Sequence, residues 1–147
     1  MKKSYGFNEL PPIARIIVIG STLLVIAALA VFIGLSMLET KAEVKDGELR
    51  IKGFYGVTVP LGEITGVELL DMTIGQIGSF TRTNGVGGMG QTLLGNFRTG
   101  GESVKLFVKS KEPPTLIVRR SGGEDLYISF YDAQSTKKLY DELIAAL

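Results

Sequence analysis

The sequence predicts an N-terminal transmembrane helix followed by an all-β barrel or sandwich that a C-terminal α-helix closes. Three observations predict it. The run from Ile16 to Leu38 holds 23 residues and no charge. Behind it, apolar residues recur at alternate positions through several segments, the signature of half-buried strands. From Asp132 onward the period lengthens to that of an amphipathic helix. The chain divides into a tail over 1–15, a membrane helix over 16–38, a linker over 39–47 and a folded domain over 48–147.

Ile16 to Leu38 reads IIVIGSTLLVIAALAVFIGLSML, in which 14 residues are Leu, Ile, Val or Phe. A helix of that length spans roughly 34 Å, against a hydrocarbon core of ~30 Å. Such side chains favour insertion by about 4–8 kcal/mol together. The rest of the chain is too small to bury this helix on every side. The apolar region of a cleaved signal peptide runs to only ~7–15 residues. Thr40-Lys41-Ala42 passes as a small-x-small cleavage site, but the length favours a retained anchor. Gly20, Ala27, Ala30 and Gly34 fall near one helix face, a pattern suited to self-association and also produced by composition alone. Lys2, Lys3 and Arg15 precede the run and Lys41, Lys45, Arg50 and Lys52 follow it, a near balance. Arg15 abuts the apolar segment, which leans the orientation toward N-terminus inside.

The segment 39–47 is polar and reads as a linker. Leu49 and Ile51 then alternate with Arg50 and Lys52, Val57 and Val59 flank Thr58, and Val67 and Leu69 flank Glu68. Gly66, where the alternation slips, marks a bulge or a tight bend. Val104, Leu106 and Val108 alternate with Lys105, Phe107 and Lys109. A turn over 110–114, a strand over 115–120, a turn at Ser121-Gly122-Gly123 and a strand through Leu126, Ile128 and Phe130 predict two successive hairpins. Asp132 is a fitting N-cap. Thr136, Leu139, Tyr140, Leu143, Ile144 and Leu147 form the apolar stripe of the last helix.

The run LRIKGFYGVTVPLGEITGVELLD, the FTRTNGVGG…GNF element, the hairpin into DLYISFYD and the final helix together resemble the bacterial pleckstrin-homology-like (PH-like) domain family. The resemblance covers roughly Val44 to Leu147, with the Asn-Gly loop its most specific part. It implies two packed antiparallel sheets with a helix plugging one end. It also implies attachment to membrane helices, and hence the bacterial inner membrane. It does not imply one activity, since such folds host lipid, peptide and protein binding.

Charge and composition narrow the chemistry. Lys+Arg is 16 and Asp+Glu 15, so no net field draws the chain to nucleic acid. With neither Cys nor His, disulfides, thiolate nucleophiles, imidazole acid–base pairs and the common zinc sites are excluded. No metal or cofactor is expected. Glu63 and Glu68 lack a converging acid–base partner, so no enzyme is expected either. Gly85 to Gly90 matches G-x-G-x-x-G, but without the strand before it and the helix after it that a dinucleotide site requires. The first hairpin offers Arg50 and Lys52 on one strand face, too few for a cluster sharing inositide phosphates.

The glycine-rich segment from Thr73 to Gly101 reads as a long functional loop, or as short edge strands loosened by glycine. Phe80, Arg82, Asn84, Phe97 and Arg98 are its candidate ligand- or partner-binding residues. Asn84-Gly85 predicts a tight turn that places Arg82 near a hairpin tip. Phe107, Tyr127 and Tyr131, out of phase with their strands, form either an exposed aromatic patch or a face that some other segment covers. The expected role is a non-catalytic binding module at the bilayer surface, with another membrane or membrane-associated protein as partner. The alternative is a structural subunit of a membrane complex with no ligand of its own.

Overall fold

The computed structural model describes residues 6–36, 40–87 and 92–147. Two compact units are present, Met1–Leu38 and Glu39–Leu147. In the first, helix α1 (Pro12–Ser36) begins one turn before the uncharged run. Proline suits a first helical position because its missing N–H would have no partner there. Arg15 folds back at this end, its Nε donating to the Leu10 carbonyl at 2.9 Å. The span Pro12–Gly34 holds 23 residues, none of them buried. This helix is long and apolar enough to cross a membrane.

Among the described residues, the second unit holds nine strands, two α-helices and a 3₁₀ turn at Leu61–Glu63. Strands β1 (Lys41–Lys45), β2 (Glu48–Lys52) and β3 (Val57–Pro60) form a three-stranded antiparallel sheet. Strands β4 (Ile64–Leu70), β5 (Thr81–Gly87), β6 (Leu93–Thr99), β7 (Glu102–Val108), β8 (Thr115–Arg120) and β9 (Asp125–Ser129) form a second sheet ordered β4-β8-β9-β7-β6-β5. A one-turn helix, α2 (Ile74–Ile77), precedes β5, and α3 (Ala133–Ala146) ends the chain.

Most of the expected linker is strand β1, paired in register with β2 from Lys41↔Lys52 to Lys45↔Glu48. The cause is Asp46-Gly47, whose φ angles of 54° and 76° make the left-handed two-residue turn that joins antiparallel strands. The bulge expected near Gly66 is present as a register shift between Ile64 and Gly66.

The two successive hairpins are corrected to one. β8 and β9 pair antiparallel, but β7 lies parallel to β9, which sits between β7 and β8. The link over 109–114 therefore spans two strand spacings, about 10 Å. Six residues reach that distance easily. This parallel pair departs from the wholly antiparallel sheets that the resemblance implies.

The larger sheet is buried on both faces. Its inner face packs Leu94, Phe107, Leu116, Val118, Leu126 and Ile128 against Leu49, Ile51 and Val59 of the small sheet and Leu139 and Leu143 of α3. Its outer face gathers Phe97, Val104, Leu106, Val108, Ile117 and Tyr127 beneath Ile74, with Ile77 and Phe80 packed against them. The segment expected as a loop thus begins as a cover over this outer face. Thr73 and Gln76 start it with a reciprocal capping box, at 3.3 and 2.9 Å. Tyr127 is accordingly buried on the outer face and Phe107 on the inner one, and of the aromatic trio only Tyr131 is exposed.

In α3, Asp132 accepts from the Ser135 N–H at 2.7 Å, as an N-cap does. Thr136, Leu139 and Leu143 are buried, and Tyr140 packs partly against the core. Ile144 and Leu147, expected in the same stripe, are exposed in the last turn.

Candidate functional site

The structure does not bring the five candidate residues of the glycine-rich segment into one cluster. Phe97 is buried in the outer core, opposite Arg82 in the β5–β6 ladder. Arg98 lies opposite Thr81, one position further along. Since successive strand residues alternate faces, the two guanidinium groups point to opposite sides of the sheet. Arg82 Nη1 donates to the Gly87 carbonyl at 3.2 Å, and Arg98 Nη2 to Gly101 at 3.4 Å. Phe80 meets the Tyr127 ring edge-on at 5.2 Å. Asn84 is exposed on β5.

Asn84-Gly85 is not a turn but part of β5, just past a bulge between Arg82 and Asn84. Gly85 and Gly95 face each other with φ of 156° and 116°. A Cβ on Gly95 would come within 2.5 Å of the Asn84 carbonyl oxygen, so close backbone approach explains both glycines. Gly85 to Gly87 of the G-x-G-x-x-G match lie in an antiparallel strand, and its remaining residues lie outside the described ones.

A cavity of about 440 Å³ opens elsewhere in this unit, between β1 and the start of α3. Thr40, Lys41, Ala42 and Glu43 line one wall, and Ser135, Lys138, Leu139 and Glu142 of α3 another. Lys52, Lys109 and the Phe130-Tyr131-Asp132 corner complete it. Lys109 is only 2% exposed. Its backbone N–H donates to the Ser129 carbonyl at 2.6 Å, extending the parallel β7–β9 pairing by one bond. Its ammonium lies 5.8 Å from the centre of the exposed Tyr131 ring, within cation–π range.

Two of the carboxyls that line this cavity, Glu43 and Asp132, are held in their charged forms. Glu43 meets Lys52 at 2.7 Å, and the hydrogen bond and charge of Lys52 hold its carboxyl below the usual carboxylate range. The Ser135 hydroxyl and N–H do the same for Asp132. Glu142 lies 3.8 Å from Lys138. The array is a set of fixed charges around an open space, suited to binding.

Sequence reading missed Lys109. The available signal was parity: Lys105, Phe107 and Lys109 share one face of β7, and a large ring at the middle position marks that face as interior. Gly20, Ala27, Ala30 and Gly34 are exposed on α1, and a Cβ on either glycine would meet nothing within 4 Å. Among the described residues, no group of three or more acidic side chains is placed to hold a metal ion. No family model matches the chain, and no curated protein or solved structure matches it either.

Proposed function

We propose that this chain is a single-pass bacterial inner-membrane protein whose PH-like domain is a non-catalytic binding module at the membrane surface. The observation that carries this reading is the 23-residue apolar span of α1, with none of its residues buried, followed in the chain by a domain that holds a charged cavity. Nothing short of a bilayer, or a comparably apolar partner, satisfies a helix that is apolar all round. Two packed sheets closed by a C-terminal helix support the PH-like reading, and the β7–β9 parallel pair is its departure.

Alkaline carbonate washing of membranes tests the anchor. Because apolar transfer holds it, the full-length chain stays in the pellet; release into the supernatant would overturn the reading. Reporters active on one side of the membrane, fused at each end, give the orientation, for which N-terminus inside is expected. A stoichiometric protein retained through gentle solubilisation would favour the structural-subunit alternative.

A further inference from the structure

The two ends of the β-sheet unit differ in the side chains they expose. At one end the Leu61 N–H donates to the Gly47 carbonyl and the Ser121 N–H to the Glu63 carbonyl, both at 2.9 Å. The turns at Asp46-Gly47, Leu61–Glu63 and 121–123 meet there. Glu102 lies at the same end, because β7 runs parallel to β9 and both strands start from it. Among the described residues, no large apolar side chain is exposed on these turns. At the other end the chain enters β1 at Thr40. A Cβ on Gly53 would lie 3.6 Å from Thr40 Oγ1, so the β2–β3 turn that carries Phe54 stands beside Thr40. Thr40 and Tyr131 line the same cavity. Ser129, two residues before Tyr131, donates its hydroxyl to the Pro114 carbonyl at 3.3 Å, and the adjoining Thr115 donates to the Met72 carbonyl at 2.8 Å. Phe54, Met72 and Tyr131 thus share this end, and they are 55%, 37% and 64% exposed. The other large apolar side chains exposed on the described residues of this unit, Ile144 and Leu147, lie at the end of α3. Exposed apolar residues gathered at one end and absent from the other mark a contact surface.

The length of chain before Thr40 decides what meets this surface. Thr40 follows Ser36, the last residue of α1, by four residues, which reach at most about 14 Å in any conformation. A helix of 25 residues is about 37 Å long, so one that crosses a ~30 Å core ends among the headgroups. Thr40 and the turn beside it are therefore tethered within reach of the headgroup layer. Tyrosine favours that layer, where its ring is sheltered and its hydroxyl stays wet. Of the lysines at this end, Lys52 and Lys138 already face Glu43 and Glu142 at 2.7 and 3.8 Å. We propose that Phe54, Met72 and Tyr131 seat this end of the domain in the headgroup layer of the bilayer that α1 crosses, held by apolar transfer rather than by attraction of lysines to phosphates. The proposal deepens the membrane-surface reading by naming the lipid interface as the partner, and it rests on that reading.

The chain contains no tryptophan, so a single introduced indole reports its own surroundings. Full-length Leu24→Trp, Phe54→Trp, Tyr131→Trp and Glu102→Trp are each reconstituted into phosphatidylcholine liposomes containing lipid brominated either high or low on its acyl chains. Fluorescence of Phe54→Trp and Tyr131→Trp should fall about twofold with the high bromines, while Glu102→Trp, at the opposite end, stays unchanged. Molar salt, which screens charges beyond ~3 Å, should leave that quenching in place. Adding Tyr131→Ser, at an exposed position, to Phe54→Trp should weaken it about twofold without moving the melting temperature. Indoles at 54 and 131 that the bromines do not reach overturn the proposal. If those indoles are also shielded from aqueous iodide, the surface belongs to a protein partner or a second copy instead. Quenching abolished by salt, or equal quenching of Glu102→Trp, overturns it as well. Leu24→Trp, in the middle of α1, keeps the two readings apart. Quenching there by the low bromines, with none at 54 and 131, defeats the docking alone. An unquenched Leu24→Trp defeats the membrane reading, and the docking falls with it.

Discussion

The β5–β6 ribbon and the β1–α3 end both carry positive charge, and they hold it in opposite ways. On the ribbon, Arg82 and Arg98 stand exposed on opposite faces, each satisfied by a carbonyl close by in the chain. At the β1–α3 end, Lys109 is drawn inside beside Tyr131 and a 440 Å³ cavity. Exposed guanidinium groups keep their hydration and bias little. A charge taken partly out of water interacts more strongly with whatever enters beside it. The difference teaches that recognition chemistry is better sought where the fold dehydrates charge than where the sequence concentrates it.

The sharpest way to break this contrast is at the core beneath the cavity. Leu143 is fully buried between α3 and the sheets. Leu143→Asp places an unpaired carboxylate there and should cost roughly 3–5 kcal/mol, much of a typical domain stability of ~5–15. Thermal melting of the solubilised chain checks it, and a parental melting curve would mean that α3 is not packed as described. Next comes the ribbon's own constraint. Gly95→Ala sets a Cβ 2.5 Å from a backbone oxygen at φ 116°, and should cost about 1–3 kcal/mol by denaturant unfolding. Gly62→Ala, where the added Cβ meets nothing within 4 Å, is the control and should be near neutral.

A smaller effect separates the two regions by pH. The Glu43 and Asp132 carboxyls are both lowered in the folded chain, so their contribution is present above the ordinary carboxylate range. It is lost as pH falls through that range toward the folded values. Melting temperature should therefore be level near neutrality and decline below about pH 4. Asp132→Asn, which keeps a capping oxygen, should flatten part of that decline in melts taken across pH. The smallest expected effect is the double change Arg82→Ala and Arg98→Ala. Both side chains are exposed, so stability should move by less than about 0.5 kcal/mol. If these residues form a partner site after all, co-purification of that partner falls while the fold stays intact. Unfolding of the double variant would make them structural.

Local signals reported local structure at the helix cap and the β4 bulge, and failed at Asn84-Gly85, which lies inside β5. Asp132 caps α3 and Gly66 bends β4 as residue chemistry suggests. The Asp46-Gly47 turn was equally visible, but the polar residues beside it suggested a linker. What sequence could not convey was which strands become neighbours. Val104, Leu106 and Val108 read as the one buried face of β7, yet Phe107 on the other face is buried as well. Alternation exposes a half-buried sheet, and it fails for a sheet covered on both sides. The cover itself, Ile74, Ile77 and Phe80, is spaced three residues apart, too sparsely for a strand and too briefly for a confident helix. Lys109 escaped for the same reason, because a lysine alternating with apolar residues normally marks the wet side.

The ion pair between Arg119 and Glu68 joins β8 to β4 across 51 residues of chain. Strand β4 is made early and waits for its partner. At ~5–20 residues per second, the ribosome takes several seconds to deliver β8. During that interval Val67 and Leu69 have only the small sheet to shelter them, and the edge of β4 carries free amide groups. Glu68 then acts on the nascent chain as a gatekeeper, a charge in the middle of an apolar strand that discourages pairing with a second copy. On this account the carboxylate serves twice, first by keeping β4 solitary and then by pairing with Arg119 when β8 arrives.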